Sequence, residues 1–274
     1  MIKTVELSKA DEAFPNEVEV ASKEVILFLM GHGEYIIPFC GVLTNIPQNF
    51  IGNVRFMLDL EKYFHDALEL NKYYIQSPSA DEDTKILIKL LTSYFAFYDD
   101  INFQAFIQNN SRFSLSIRES PEELQRKAYA RLKGYIFEQL VAEILKVCYL
   151  REHCQFERGC IVKIVGTVVQ VEHQGDIRKT IDIAGVDTEN VSCDMVECKV
   201  QPMRIDEINV KYVRTLYEKM IKAGYINANV GFLTAGTKES VQLKIAENCK
   251  QLNMMDPGLK AYDIRDLQIL VASA

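Results

Sequence analysis

Two carboxylates and an ammonium fall close together within residues 179–201, KTIDIAGVDTENVSCDMVECKVQ. The run reads as a β-hairpin. Two stretches of strand-forming residues, KTIDIAGV and CDMVECKV, flank a polar tip, Asp187-Thr188-Glu189-Asn190, of the kind that reverses a chain. With the turn centred between Glu189 and Asn190, antiparallel pairing sets Asp182 opposite Glu197. Strand alternation then sends Glu197, Lys199 and Gln201 to one face. Two neighbouring carboxylates bind a hard divalent cation well, Mg²⁺ in particular, with Mn²⁺ as a substitute. Such an ion activates water and neutralises charge on a phosphorane, while a nearby Lys positions that water or stabilises the developing anion. The chemistry to expect is phosphodiester hydrolysis. Rival carboxylates fit less well: Asp187 and Glu189 sit at the tip, and Asp194 has the opposite parity from Glu197. A solvated cross-strand cluster of the same residues needs no function, so the surrounding elements matter.

Those elements are legible on either side. Ser120-Pro121-Glu122-Glu123 carries Ser at the N-cap, Pro at the first helical position and Glu at the third, which opens a helix predicted to reach Tyr149. Phe137, Leu140, Val141, Ile144, Leu145 and Cys148 form its apolar stripe, and Gly134 and Glu138 lie within it. Residues 160–172, CIVKIVGTVVQVE, read as a strand kinked at Gly166, with a turn at residues 173–176. After the hairpin come a helix over 206–223 stopped by Gly224, a central strand over 229–235, a helix over 240–252 and a last strand near 261–264.

The segments Ile181-Asp182-Ile183 and Val196-Glu197-Cys198-Lys199 resemble the PD-(D/E)xK nuclease superfamily, closest to its Mrr-like and Holliday-junction-resolvase-like branches. The helix bearing Gly134, Phe137 and Glu138 is similar to the first core helix of that superfamily, whose Glu often completes the metal shell. The chain lacks a Pro before Asp182. The resemblance implies a mixed α/β fold with a restriction-endonuclease-like αβββαβ core over residues 120–274. It further implies a Mg²⁺-dependent nuclease with Asp182, Glu197 and Glu138 at the metal, Lys199 at the nucleophile and Gln201 orienting water. DNA is the expected partner, with RNA left open and a homodimer as one arrangement. The alternative is an inactive nucleic-acid-binding or assembly module on the same fold.

Residues 1–119 form an acidic, largely helical domain in this reading. Residues 1–24 look like an irregular arm, and residues 24–43 like two apolar strands joined at Gly31-His32-Gly33-Glu34. Helices are expected over 49–75, 85–97 and 101–108, separated by a loop at 77–83. Charge divides unevenly: residues 1–124 hold 10 basic and 19 acidic side chains, net −9, while the remaining 21 and 19 give +2. The C-terminal half is thus the one that suits nucleic acid. Seven Cys without a repeating framework, no apolar run of membrane-spanning length and no signal-peptide pattern fit a cytoplasmic protein. Cys148, Cys154 and Cys160 with His153 raise a zinc site, but they contain no C-x-x-C pair.

Overall fold

Alternating side chains and tight turns in the C-terminal half produce a mixed sheet. The computed structural model describes residues 3–10, 14–45, 60–71, 80–110, 120–255 and 258–266. Its strands are β1 (Val5–Lys9), β2 (Cys154–Ile164), β3 (Thr167–Val168), β4 (Val171–His173), β5 (Asp176–Arg178), β6 (Thr180–Asp187), β7 (Ser192–Lys199), β8 (Asn227–Thr234) and β9 (Lys260–Tyr262). The sheet runs in the order β1-β2-β6-β7-β8-β9, with β3 against β2, while β4 and β5 form a separate two-stranded ribbon. The first four strands of that order are antiparallel neighbours, and β8 and β9 are added in parallel. The expected single strand over 160–172 is broken by a turn at Val165-Gly166, both at positive φ.

The β6–β7 hairpin takes the register expected from its tip, with Ile183 facing Val196 and Asp187 facing Ser192. The Asp187 carboxylate closes the turn by accepting from the backbone N–H groups of Glu189 and Asn190 at 3.0 and 2.9 Å, the Asx geometry that makes Asp a turn residue. Both strands are buried on both faces over most of their length. On one face Tyr149 donates to Asp194 at 2.5 Å, so Asp194 does point away from Glu197. Gly185 is required there: a Cβ on it would lie 2.4 Å from the Tyr149 ring.

The helices are α1 (Asn16–Gly31), α2 (Ile36–Asn45), α3 (Leu60–Asn71), α4 (Ala80–Phe95), α5 (Ile101–Asn110), α6 (Pro121–Lys146), α7 (Glu207–Lys222) and α8 (Lys238–Gln251). Helix α7 begins at a capping box in which Asp206 accepts from the Asn209 N–H and Asn209 returns the bond. It buries Val210, Tyr212, Val213, Leu216 and Met220 in a core shared with Ile181, Met195, Val230 and Phe232 of the sheet and Val241 and Ile245 of α8. The β4–β5 ribbon lies against α7.

The chain forms two compact units, residues 13–139 and residues 1–12 with 140–274. The division therefore falls inside α6 rather than at Ser120, and the N-terminal arm is corrected to strand β1, an edge partner of β2. The helical unit also overturns the strand pair expected over 24–43, which is helix α1, a short 3₁₀ turn and α2. The reason lies upstream. Val18, Ser22, Val25, Ile26 and Leu29 are the buried positions of α1, a helical period whose first members sit in the polar stretch that seemed irregular. The helix expected over 49–75 is seen in its described part, α3, whereas Phe50, Val54, Met57 and Leu58 lie outside the described residues. Asp81, Glu82 and Asp83, expected in a loop, form the first turn of α4. Among the described residues no single helix is long and apolar enough to cross a membrane.

Candidate active site

Register and alternation bring Asp182, Glu197 and Lys199 together at the ends of β6 and β7. The Lys199 ammonium donates to Glu197 Oε1 and lies 3.7 Å from Asp182 Oδ2. Asp182 Oδ2 also accepts from the Cys198 backbone N–H at 2.8 Å, which anchors its carboxylate to the neighbouring strand. Glu197 is fully buried, while Asp182, Arg178 and Lys199 each keep about a fifth of their side chains exposed.

A fourth member was missed in the sequence. Arg178, the last residue of β5, reaches both Glu197 oxygens through Nη2 at 2.6 Å and stands 4.0 Å from Asp182. Its guanidinium lies 5.9 Å from the Tyr212 ring centroid on α7, within cation–π range. A signal existed: Arg178 precedes Asp182 by four residues and shares its strand parity. The break between β5 and β6 hid it, because parity argues only within one strand.

Two cations against two carboxylates make the cluster neutral. Burial would raise the Glu197 carboxyl, but Lys199 and Arg178 outweigh it and hold the group below its usual range. Asp182 behaves oppositely. Burial and the neighbouring Glu197 charge push it up to about 6, against the pull of Lys199, Arg178 and the Cys198 N–H. Burial alone would lower Lys199, yet the two carboxylates hold it above its ordinary value. Tyr212 Oη and Arg178 Nε are buried with no hydrogen-bond partner among the described residues, leaving two donors beside the cluster.

The other two expected members lie outside strands β6 and β7. Glu138 belongs to the helical unit, half-buried on α6 and leaning toward Gly134, where a Cβ would lie 3.8 Å from its Oε1. Gln201 lies beyond the end of β7, at the start of a 3₁₀ turn, and its backbone carbonyl accepts from the Arg204 N–H at 3.0 Å. Strand β7 ends at Lys199, while the Gln201 backbone is still extended at φ −120° and ψ 136°. The zinc grouping also changes. Cys148 is exposed and Cys160 buried, and Cys160 is six residues, about 20 Å of strand, from Cys154.

The donor set is of the kind a hard divalent cation takes: two carboxylates meet on neighbouring strands, with Asp182 raised first by burial and then by the Glu197 charge. Arg178 currently satisfies Glu197, so an entering ion would exchange with its guanidinium. Arg178 ends a three-residue strand of a separate ribbon, and its movement leaves the main sheet ladder unbroken. No protein-family model matches the chain, and no curated protein matches it.

Proposed function

We propose that the sheet-bearing unit is a Mg²⁺-dependent nuclease that hydrolyses DNA phosphodiester bonds. The observation that carries this reading is the meeting of Asp182, Glu197 and Lys199 at one end of a buried hairpin. Further support comes from the element order: with the short strands β3, β4 and β5 set aside, α6 is followed by three antiparallel strands, a helix and a parallel strand, the succession the resemblance implies.

Asp182 and Glu197 hold the ion. When bound, Mg²⁺ or Mn²⁺ supplies charge neutralisation on the phosphodiester and makes water a better nucleophile. Lys199, kept protonated by its carboxylate neighbours, orients the attacking water through an N–H donor and stabilises the negative charge that develops on the phosphorus oxygens. Arg178, once exchanged from Glu197, offers its planar fork to a phosphate oxygen pair. Glu138 and Gln201 have no step in this scheme. The test is cleavage of supercoiled, linear and branched DNA with Mg²⁺ or Mn²⁺, wild type beside Lys199→Ala. Lys199→Ala should lose cleavage while retaining DNA binding, and equal cleavage by the two proteins would refute the role of Lys199.

One observation favours a second reading, a binding or assembly module with a retired site: Arg178 takes both oxygens of Glu197. Under that reading wild type and Arg178→Gln bind DNA equally and neither cleaves it. Under the first, Arg178→Gln binds Mn²⁺ more tightly than wild type, because a competing cation has been removed.

A further inference from the structure

At the opposite end of the hairpin three other side chains converge, with Glu189 against one of them. His153 sits in the turn just before β2, which Cys154 begins, and Cys154 is the direct cross-strand partner of Asp187 at the end of β6. His153 Nε2 lies 3.5 Å from Asp187 Oδ1 and 3.0 Å from Glu189 Oε2. The donor atoms of His153, Cys154 and Asp187 all lie within 4.8 Å of one another. We propose that His153, Cys154, Asp187 and Glu189 form a zinc-binding site that clamps the start of β2 to the β6–β7 turn.

Spacing is the first argument. In a tetrahedral zinc centre with bonds of about 2.0 to 2.3 Å, adjacent ligand atoms stand about 3.3 to 3.6 Å apart. The His153 contacts lie close to that range, so small side-chain shifts would suffice. The second argument is the imidazole itself. Nε2 is buried and makes no aligned hydrogen bond, although two carboxylate oxygens are near it. A ring nitrogen directed between acceptors without bonding either is arranged for a cation between them. The third argument is preorganisation. The His153 backbone carbonyl accepts from the Thr188 hydroxyl at 3.0 Å, which ties the imidazole's own backbone to the turn that carries Glu189.

The donor types choose the metal. Nitrogen, sulfur and two oxygens form a borderline set that favours Zn²⁺ over Mg²⁺ or Ca²⁺, which take oxygen alone. Three donors are already grouped, and Glu189, whose carboxylate lies 3.0 Å from His153 Nε2, is the side chain that would take the fourth position and close the site as a structural one. On coordination the Cys154 thiol releases its proton to solvent and binds as thiolate. The site shares no ligand with Asp182, Glu197 or Lys199 and is independent of the nuclease reading.

Cobalt(II) titration of the chelator-treated full-length chain tests it, because a thiolate ligand gives a charge-transfer band in the near ultraviolet and a tetrahedral field gives intense visible bands. Wild type and Cys148→Ser should each show both bands, with the charge-transfer band saturating when one cobalt is bound at this site and bleached by Zn²⁺. Cys154→Ser, nearly isosteric and checked for folding by circular dichroism, should lack the charge-transfer band. His153→Ala should bind cobalt more weakly by over about 100-fold, more than the loss of an outer-shell partner typically costs. No charge-transfer band in wild type overturns the proposal. So does a band that survives Cys154→Ser, or one that is lost in Cys148→Ser.

Discussion

The two ends of the β6–β7 hairpin hold carboxylates in opposite company, although only about 17 Å of strand separates Asp182 from Asp187. At the strand ends, Glu197 and Asp182 face Arg178 and Lys199, and the charges cancel within the protein. At the tip, Asp187 is held below its usual range first by the Asn190 backbone N–H and then by the Asn190 side chain, and its ion partner is a histidine. Amide dipoles stabilise a carboxylate without neutralising it. The first end can therefore be buried completely, as Glu197 is, but must give up a cation before it takes one. The tip keeps its negative charge and can receive a cation directly.

That contrast can be broken, beginning with the largest expected effect. Lys199→Ala should reduce DNA cleavage by at least about 10² to 10³-fold, the usual cost of one transition-state donor. Thr188→Ala, at the tip, should leave the rate within about twofold. Equal losses in the plasmid assay would mean that chemistry is not confined to one end.

Next is stability. Arg178→Ala leaves buried Glu197 with Lys199 as its remaining cation and should lower the urea-unfolding free energy by roughly 3 kcal/mol, near the bottom of the range for a broken buried pair. Asp187→Ala, which removes turn hydrogen bonds but strands no opposite charge, should cost less, about 1 to 2 kcal/mol. If the two losses are similar, the cancellation of charge at the strand ends is weaker than the geometry indicates.

The third distinction is in pH. Because the folded protein raises the Asp182 carboxyl from 3.8 to about 6, it binds that proton more tightly than the unfolded chain does. Asp182 thus destabilises the fold progressively as pH rises from about 4 to 6, by roughly 2 to 3 kcal/mol. Glu197 and Asp187, both lowered, work in the opposite direction: each contributes stability above its unfolded value that is lost as pH falls through the folded one. Urea titrations across that window should show Asp182→Asn gaining on wild type as pH rises. A pH-independent difference would show that Asp182 titrates normally. The smallest effect is at the tip, where Val191 sits at φ 54°, an uncommon conformation for a β-branched residue. Val191→Gly should raise stability by at most about 1 kcal/mol.

Local rules made much of this molecule legible. The Asp187-to-Asn190 turn and strand alternation were enough to pair Asp182 with Glu197, because a hairpin's register depends on its own turn. The Ser120 cap and the Gly224 stop work in the same way: Ser120 Oγ accepts from the Glu123 N–H at 3.3 Å, and Gly224 has φ 99°. Residues 24–43 failed by the same logic, since an apolar run is ambiguous until its period is followed into the polar residues before it.

The amino-acid sequence by itself determined which carboxylates and which lysine meet, since that needed only one hairpin and the two-residue period of a strand. Tertiary structure alone decided which charges neutralise them and what gathers at the other end. Arg178 arrives from a separate ribbon and His153 from a turn more than thirty residues before the one it faces. No local period encodes either meeting. Each depends on how β2 and the ribbon settle against the hairpin and α7, a consequence of burying the whole sheet rather than of any one turn.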